Sequence, residues 1–177
     1  MSSLVGSPGE PEFTIEQRVP TAGEMTGLGG RLARLLAAGD LVVLSGSLGA
    51  GKTTLTQGIG AGLNVRGPVT SPTFVIARVH PSLASGPDLV HADAYRLGSR
   101  AEVDDLDLDA DLATSVTVVE WGEGLVEALA GSYLAIGIQA EEGGSDSGEP
   151  RTVRISGWGE RWRNKAELAQ DTLAGDR

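Results

Sequence analysis

One segment of eight residues, 46–53, constrains this chain more than any other feature of its sequence. It reads GSLGAGKT and fits the pattern G-x-x-x-x-G-K-[ST] at every fixed position. Glycines let such a loop wrap its backbone N–H groups around an anion, and the helix that follows adds the positive end of its dipole. At average residue usage, fewer than about one chain in a hundred of this length would match by chance. The segment therefore predicts a phosphate-binding loop.

The residues on either side give the loop the surroundings that this motif requires. Residues 41–44 form a short continuous apolar run, typical of a strand buried on both faces, and residues 52–63 read as a helix. In such loops the lysine, here Lys52, reaches the β- and γ-phosphates, and the hydroxyl of the next residue, Thr53, binds magnesium. We therefore expect ATP or ADP with Mg²⁺ as the ligand. The residues expected to bind it in this segment are Gly46, Leu48, Gly49, Ala50, Gly51, Lys52, Thr53 and Thr54.

Apolar patterns along the rest of the chain indicate mixed strands and helices. Phe13–Val19 is expected to be a short edge strand, and helical spacing continues from Met25 to residue 38 behind the capping residue Thr21. Further strands are expected at 74–79, 89–94, 116–119, 133–139 and 152–156, the last two antiparallel, with helix and loop at 101–112 and a short helix at 124–130. This mixture favours an α/β fold: a three-layer sandwich like that of P-loop NTPases, with a mixed, largely parallel central sheet.

The chain is predicted to form a single domain, residues 12–163. Residues 1–11 lack the basic and apolar segments of a signal peptide and are expected to be a disordered leader. Residues 141–150 are rich in glycine, serine and acid, which predicts a flexible hairpin insertion, and 164–177 are expected to be a C-terminal tail. Without an export signal or an apolar run of about 18 residues, we expect a cytoplasmic protein with no membrane segment.

Composition excludes several kinds of site. The chain has no cysteine, so disulfides, thiolate metal sites and cysteine nucleophiles are excluded. Its formal net charge is -10, and a surface of that sign repels the phosphate backbone of nucleic acids. Extensive direct binding to RNA is therefore disfavoured, whereas an acidic surface can still dock on a basic protein partner.

Two acidic residues follow predicted strands and are candidate catalytic residues together with Lys52. The carboxyl ends of parallel strands form the edge of a sheet where ligands bind, and Asp93 and Glu120 stand at two such ends. A carboxylate in this place holds magnesium or orients the attacking water. The sequence leaves open which of the two residues does which.

Three further residues have both a functional and a structural interpretation. Thr73 stands where P-loop proteins keep a switch loop that senses the γ-phosphate, but the segment Ser-Pro-Thr-Phe also suits a proline turn capped by serine. Trp121 either stacks near the nucleotide or packs as a half-buried residue. His91 is interpreted as a buried, hydrogen-bonded histidine rather than a catalytic base.

Four motifs in this order resemble those of one family. They are GSLGAGKTT at 46–54, VTSPTF at 69–74, HADAYRL at 91–97 and VEWGE at 119–123. The phosphate loop alone is shared by many NTPases, whereas the other three at this spacing are far more specific. Together, over about residues 13–160, they resemble TsaE, formerly called YjeE, the bacterial ATPase of the tRNA threonylcarbamoyladenosine machinery.

The resemblance implies an activity, partners and residue roles. TsaE proteins work with the TsaB–TsaD pair, in which TsaD transfers a threonylcarbamoyl group to the adenosine beside the anticodon of tRNA. ATP hydrolysis, slow in the isolated protein, would support repeated turnover of that complex, and tRNA would be contacted only indirectly through it. By this analogy Thr53 and Glu120 hold Mg²⁺, and Lys52 with its loop holds the phosphates. Asp93 would be catalytically important, and Thr73 would belong to the switch-like loop.

Two features depart from the family pattern. Members often carry threonine in the first helix where this chain has Met25, and the insertion at 141–150 is longer than expected.

Two other functions stay open on the residues alone. A small-molecule kinase shares the loop but usually carries a mobile lid with several arginines, and only Arg96 and Arg100 stand near a suitable place. The other alternative is a binding module switched by ATP without turnover, because Glu120 can hold a metal without activating water.

Overall fold

The computed structural model describes residues 9–47, 49–70, 77–94, 111–121, 130–141 and 150–175. Within these ranges the strands are β1 (Phe13–Val19), β2 (Leu41–Gly46), β3 (Ala77–His80), β4 (Asp88–Asp93), β5 (Ser115–Glu120), β6 (Tyr133–Ala140) and β7 (Arg151–Trp158). The α-helices are α1 (Ala22–Leu35), α2 (Lys52–Gly62) and α3 (Ala166–Ala174), and a short 3-10 helix, Glu160–Trp162, precedes α3.

The seven strands form one sheet in the order β1-β7-β6-β2-β5-β4-β3. The four inner strands β6, β2, β5 and β4 pair in parallel, whereas β1, β7 and β3 join through antiparallel pairs. The predicted α/β fold with a mixed sheet is confirmed, and so is the antiparallel pairing of β6 with β7. Parallel pairing is confined to the centre, where strands covered on both faces can consist of continuous apolar residues.

Each face of the sheet has its own core, because successive residues of a strand point to opposite faces. On one face, Val42, Leu44 and Val118 pack in a cluster that includes the buried residues of all three α-helices. On the other face, Leu41 and Val43 belong to a second cluster. The helix and loop predicted at 101–112 and the helix predicted at 124–130 lie almost entirely outside the described residues.

Helix α1 begins at its predicted cap and ends earlier than predicted. The hydroxyl oxygen of Thr21 accepts a hydrogen bond from the N–H of Glu24 at 3.1 Å, which satisfies one of the free donors at the helix start. The helix ends at Leu35 rather than at residue 38. The carboxylate of Asp40 accepts the N–H of Ala37 at 2.8 Å, so this segment forms a capped turn into β2 instead of a further helical turn.

Helices α1 and α2 cross where both carry glycine. A β-carbon on Gly29 would lie 2.7 Å from the backbone nitrogen of Ile59, and one on Gly58 would collide with the backbone of Thr26. The two backbones therefore approach each other more closely than any side chain would allow. Because α2 begins directly after the phosphate-loop segment, this crossing positions the helix that carries Lys52 and Thr53.

The C-terminal segment differs from the prediction. Residues 164–177 are predicted to be a tail, but α3 occupies most of this segment, and its Ala169 and Leu173 are fully buried. The Leu173 carbonyl accepts hydrogen bonds from Gln17 Nε2 at 2.9 Å and from Arg31 Nε at 3.1 Å. A helix of nine residues is stable only through such packing, and two apolar residues one turn apart give little sequence signal.

The remaining predictions fall partly or wholly on undescribed segments. Strand β3 is described from Ala77 to His80, and residues 74–76 of the strand predicted at 74–79 lie outside the described part of the chain. Residues 1–8 of the predicted leader and 142–149 of the predicted hairpin insertion also lie outside it. Of the described helices, none has the length and apolar character needed to cross a membrane.

We expect Gly29→Ala to lower the free energy of unfolding by about 1–3 kcal/mol, because the added methyl group must push α1 away from α2. Gly30→Ala is the matched control, since a β-carbon at this neighbouring position meets no atom within 4 Å. Its higher helix propensity should raise stability by about 0.5–1 kcal/mol. Urea unfolding followed by circular dichroism measures both variants, and equal stabilities would contradict the close crossing.

Candidate active site

The phosphate-loop segment follows β2 and ends where α2 begins. Gly46 closes β2, and a β-carbon there would lie 2.6 Å from the carbonyl oxygen of Ile138 in β6. Gly51 precedes α2 with a φ of 110°, a conformation that residues with side chains rarely adopt. The backbone itself therefore requires glycine at both positions of the motif. Between them, the N–H of Ala50 donates to the carbonyl of Ser47 at 3.0 Å.

Lys52 is the first residue of α2, and its side chain lies folded over the loop. Its Nζ donates to the carbonyl oxygens of Gly46 at 2.8 Å and Ser47 at 3.0 Å. Lys52 is only 6% exposed, and this burial lowers its pKa, while the negative charges of Glu120 and Asp93 act in the opposite direction. A partly desolvated ammonium group in this place can form strong, charge-assisted bonds with phosphate oxygens.

Thr53 and Glu120 bring two oxygen ligands together at the start of α2. The Thr53 Oγ1 donates to Oε1 of Glu120 at 3.3 Å. Glu120 is the last residue of β5 and is 3% exposed, and its other oxygen, Oε2, lies 3.0 Å from Nε2 of His91. Both oxygens of this carboxylate are therefore held by side chains from neighbouring elements. The prediction that His91 is buried and hydrogen-bonded is confirmed.

Asp93 ends β4 directly beside Glu120. The register of the parallel pair places the two residues opposite each other, and the N–H of Ala94 donates to the backbone carbonyl of Glu120 at 2.9 Å. The charge of Asp93 acts on Lys52, whose pKa it raises. The structure thus brings the two predicted carboxylates and the predicted lysine to the same edge of the sheet.

Trp121 lies beneath the ammonium group of Lys52. The Nζ atom is 4.1 Å from the centroid of the indole ring, within the range of a cation–π interaction. The φ of Trp121 is 61°, a value that is uncommon outside glycine, and its N–H donates to the carbonyl of Leu44 at 3.1 Å. The Trp121 side chain is half-buried and lies against Lys52, next to the phosphate-loop segment.

Two residues distant in sequence also pack on the loop. Arg151, the first residue of β7, donates from Nε to the carbonyl of Ala50 at 3.1 Å, a contact that the sequence analysis did not predict. Met25 of α1 is 2% exposed, and its Cε lies 3.4 Å from where a β-carbon on Gly51 would stand. No local sequence signal connects Arg151 with the loop, because only the pairing of β6 with β7 brings it there.

Three predicted nucleotide-binding residues are not part of the contacts described above. Leu48 and Thr73 lie outside the described residues, and their roles stay predictions. Thr54 lies in the first turn of α2 and is partly exposed.

The oxygen atoms around Thr53 suit a magnesium ion. Mg²⁺ takes oxygen ligands and is usually held by one or two carboxylates together with substrate phosphates. The hydroxyl of Thr53 and the carboxylate of Glu120 supply two such oxygens within hydrogen-bonding distance of each other. The ammonium group of Lys52 lies over the phosphate-loop segment, which directly precedes α2. The phosphates of a nucleotide would lie at this place.

The chain is similar to known proteins both in sequence and in structure. The sequence model of the family described as "Threonylcarbamoyl adenosine biosynthesis protein TsaE" matches residues 19–148. The tRNA threonylcarbamoyladenosine biosynthesis protein TsaE of Streptomyces coelicolor is 63% identical over 139 residues, which are 78% of this chain and 93% of that protein. The protein of the same description from Mycobacterium tuberculosis is 49% identical over 128 residues, 68% and 76% of the two chains. A crystal structure of Bacillus subtilis YdiB has a TM-score of 0.66 at 28% identity and covers 92% of this chain and 95% of that one.

We expect Lys52→Ala to abolish productive ATP binding, because the loop then lacks the ammonium group that offsets the concentrated phosphate charge. Lys165→Ala is the matched control, since it removes the other lysine of the chain, which lies at the start of α3. Titration calorimetry with ATP measures both folded variants. An affinity of Lys52→Ala within a factor of about two of the parent, less than about 0.5 kcal/mol, would contradict the assignment.

Proposed function

The chain belongs to the TsaE family, and we propose that it is a magnesium-dependent ATPase acting in the biosynthesis of threonylcarbamoyladenosine on tRNA. The observation that carries this proposal is that the Thr53–Glu120 pair lies at the end of the phosphate-loop segment, next to Lys52, whose ammonium group donates to two loop carbonyls. The names of the relatives support the proposed pathway, and the chemistry of Lys52, Thr53 and Glu120 supports the proposed reaction, ATP hydrolysis.

The loop and Lys52 would bind the phosphate chain of ATP. The ammonium group now donates to two loop carbonyls, and phosphate oxygens would replace these neutral acceptors with charged ones. The start of α2, which has no side-chain cap at Gly51, adds the positive end of the helix dipole. Burial lowers the pKa of Lys52, and the negative charges of Glu120 and Asp93 act against that effect.

Thr53 and Glu120 would hold the magnesium ion that accompanies the nucleotide. When bound, the ion neutralises charge on the phosphate oxygens and polarises the bond that breaks. The chain contributes a hydroxyl from α2 and a carboxylate from β5, two elements that the sheet and the helix crossing fix relative to each other.

Asp93 would orient the attacking water. Both oxygens of Glu120 are engaged, one by Thr53 and the other by His91, which suits a residue that holds a metal in a fixed orientation. Asp93 lies on the adjacent strand end, opposite Glu120 in register, and can accept a proton or a hydrogen bond from water beside the phosphate.

The proposed partner is the TsaB–TsaD complex, with tRNA reached only through it. The net charge of -10 favours a protein partner over direct contact with the backbone of RNA. A partner that orders the predicted switch segment around Thr73 can complete the catalytic site. A tenfold stimulation requires the partner to stabilise the transition state by only about 1.4 kcal/mol.

We expect Glu120→Gln and Asp93→Asn to slow hydrolysis in different ways. Losing the charge at Glu120 should raise the magnesium concentration needed for half-maximal rate, whereas Asp93→Asn should lower the maximal rate by about 100-fold or more with its magnesium dependence retained. Magnesium titrations of phosphate release separate the two effects.

The matched control for these variants is Glu16→Gln on β1, where the carboxylate pairs with Arg154 at 3.4 Å on the exposed face of the sheet. This control should leave both the magnesium dependence and the maximal rate unchanged. Reversed effects of the two site variants would exchange the roles of Asp93 and Glu120, and unchanged rates in both would remove them from the site.

We expect the isolated chain to hydrolyse ATP far more slowly than the enzyme median of roughly 10 per second and to be accelerated by TsaB–TsaD. In a reconstituted tRNA modification reaction, leaving the chain out or replacing it by Lys52→Ala should limit product to a single turnover. Full product without the chain would refute the family role, even with the nucleotide site intact. Transfer of phosphate to an added small molecule, rather than release into water, would identify a kinase instead.

A further inference from the structure

His91 is a fully buried histidine with one satisfied and one unsatisfied ring nitrogen. Its Nε2 lies 3.0 Å from Oε2 of Glu120, whereas Nδ1 is buried and has no hydrogen-bond partner among the described residues. A buried polar atom without a partner is rare in folded proteins and calls for an explanation.

The contact with Glu120 determines which ring nitrogen donates. A carboxylate only accepts, so Nε2 of His91 donates to it, and Nδ1 is left without a partner in the described part of the chain. Burying a polar atom without a partner costs about 1–3 kcal/mol. An apolar side chain of similar volume would avoid that cost but could not donate a hydrogen bond to Glu120. The bond to Glu120 is therefore the property that requires a donor at position 91.

The same bond restricts the orientation of the Glu120 carboxylate. His91 lies opposite Val118 in the register of β4 and β5, so its side chain lies on the same face of the sheet as Val118, the face on which α2 packs. With Oε2 held by His91, Oε1 is directed at the hydroxyl of Thr53. Without that bond the carboxylate can rotate about its own side-chain torsions, and metal ligands that lose such a partner bind their ion more weakly.

We infer that His91 is a positioning residue that orients Glu120 for the divalent cation, itself touching neither the ion nor the nucleotide. The inference rests on the proposed function and deepens it, since it names the group that holds the metal-binding carboxylate in place.

The test compares two replacements of His91 by their effect on metal binding without turnover. His91→Leu removes the donor and keeps apolar volume, whereas His91→Gln places an amide nitrogen where Nε2 of the histidine lies. Electron paramagnetic resonance measures the affinity of the protein–ADP complex for Mn²⁺, and calorimetry measures ADP binding in the absence of divalent ions. We expect His91→Leu to lower the Mn²⁺ affinity by about 10- to 100-fold and His91→Gln by less than about threefold. Metal-free ADP binding should be the same in both.

The matched control is His80→Leu. His80 is buried on the neighbouring strand β3, with Nδ1 3.3 Å from the carbonyl oxygen of Arg66. Among the bonds described here it has none to Glu120, so its replacement should leave Mn²⁺ affinity unchanged while changing the core to a comparable extent.

Several results would overturn the inference. Unchanged Mn²⁺ affinity in His91→Leu, or an equal loss in His91→Gln or His80→Leu, would reduce His91 to a structural residue. If His91→Leu does not fold, His91→Phe makes the same comparison, and failure of both to fold would assign His91 to the core alone. A parent chain that does not bind ADP would refute the proposed function and this inference together. A parent that binds ADP and Mn²⁺ beside an unaffected His91→Leu would refute only the inference.

Discussion

The hydrogen bond between Thr53 and Glu120 joins the two halves of the candidate site. Thr53 belongs to the helix that follows the phosphate loop, and Glu120 ends the adjacent central strand β5. A carboxylate at a strand end can reach that helix only if β5 lies directly beside β2, which the parallel register ensures by pairing Leu44 with Glu120. The order of strands at the centre of the sheet is therefore the constraint on which the geometry of the candidate site depends.

Burial sets the electrostatics of the site. Lys52 and Glu120 are both nearly inaccessible to solvent, and isolated charges in such surroundings would be costly. Lys52 is held by two carbonyls and the face of Trp121, and Glu120 by a hydroxyl and an imidazole. Each charge thus has partners among the described residues. Under the proposed function, phosphate binding would exchange these partners rather than pair charges that were fully solvated. Such preorganisation is the main source of electrostatic catalysis in phosphoryl transfer.

Packing far from the site keeps this arrangement in place. The glycine crossing sets the distance between α1 and α2, and the C-terminal helix α3 packs into the same core. Arg161, in the 3-10 helix before α3, forms two hydrogen bonds to the carboxylate of Asp40 at 3.1 and 3.2 Å and a third to the carbonyl of Leu35. This cluster ties the end of α1 to the start of β2, the strand that leads into the phosphate-loop segment.

The sequence by itself determined the features that rest on local spacing. The phosphate-loop segment, the cap at Thr21, the apolar runs of the central strands and the two carboxylates at their ends are all contained in short segments, so residue type and period suffice to find them. Only the tertiary structure decided which side chains meet: His91 with Glu120 across 29 residues, Arg151 with Ala50 across 101, and Trp121 with Lys52. It also decided that Ala166–Ala174 form a helix that packs into the core. Such contacts depend on strand order, register and the close approach of helices, which are properties of the packed chain as a whole and leave no periodic pattern in any one segment.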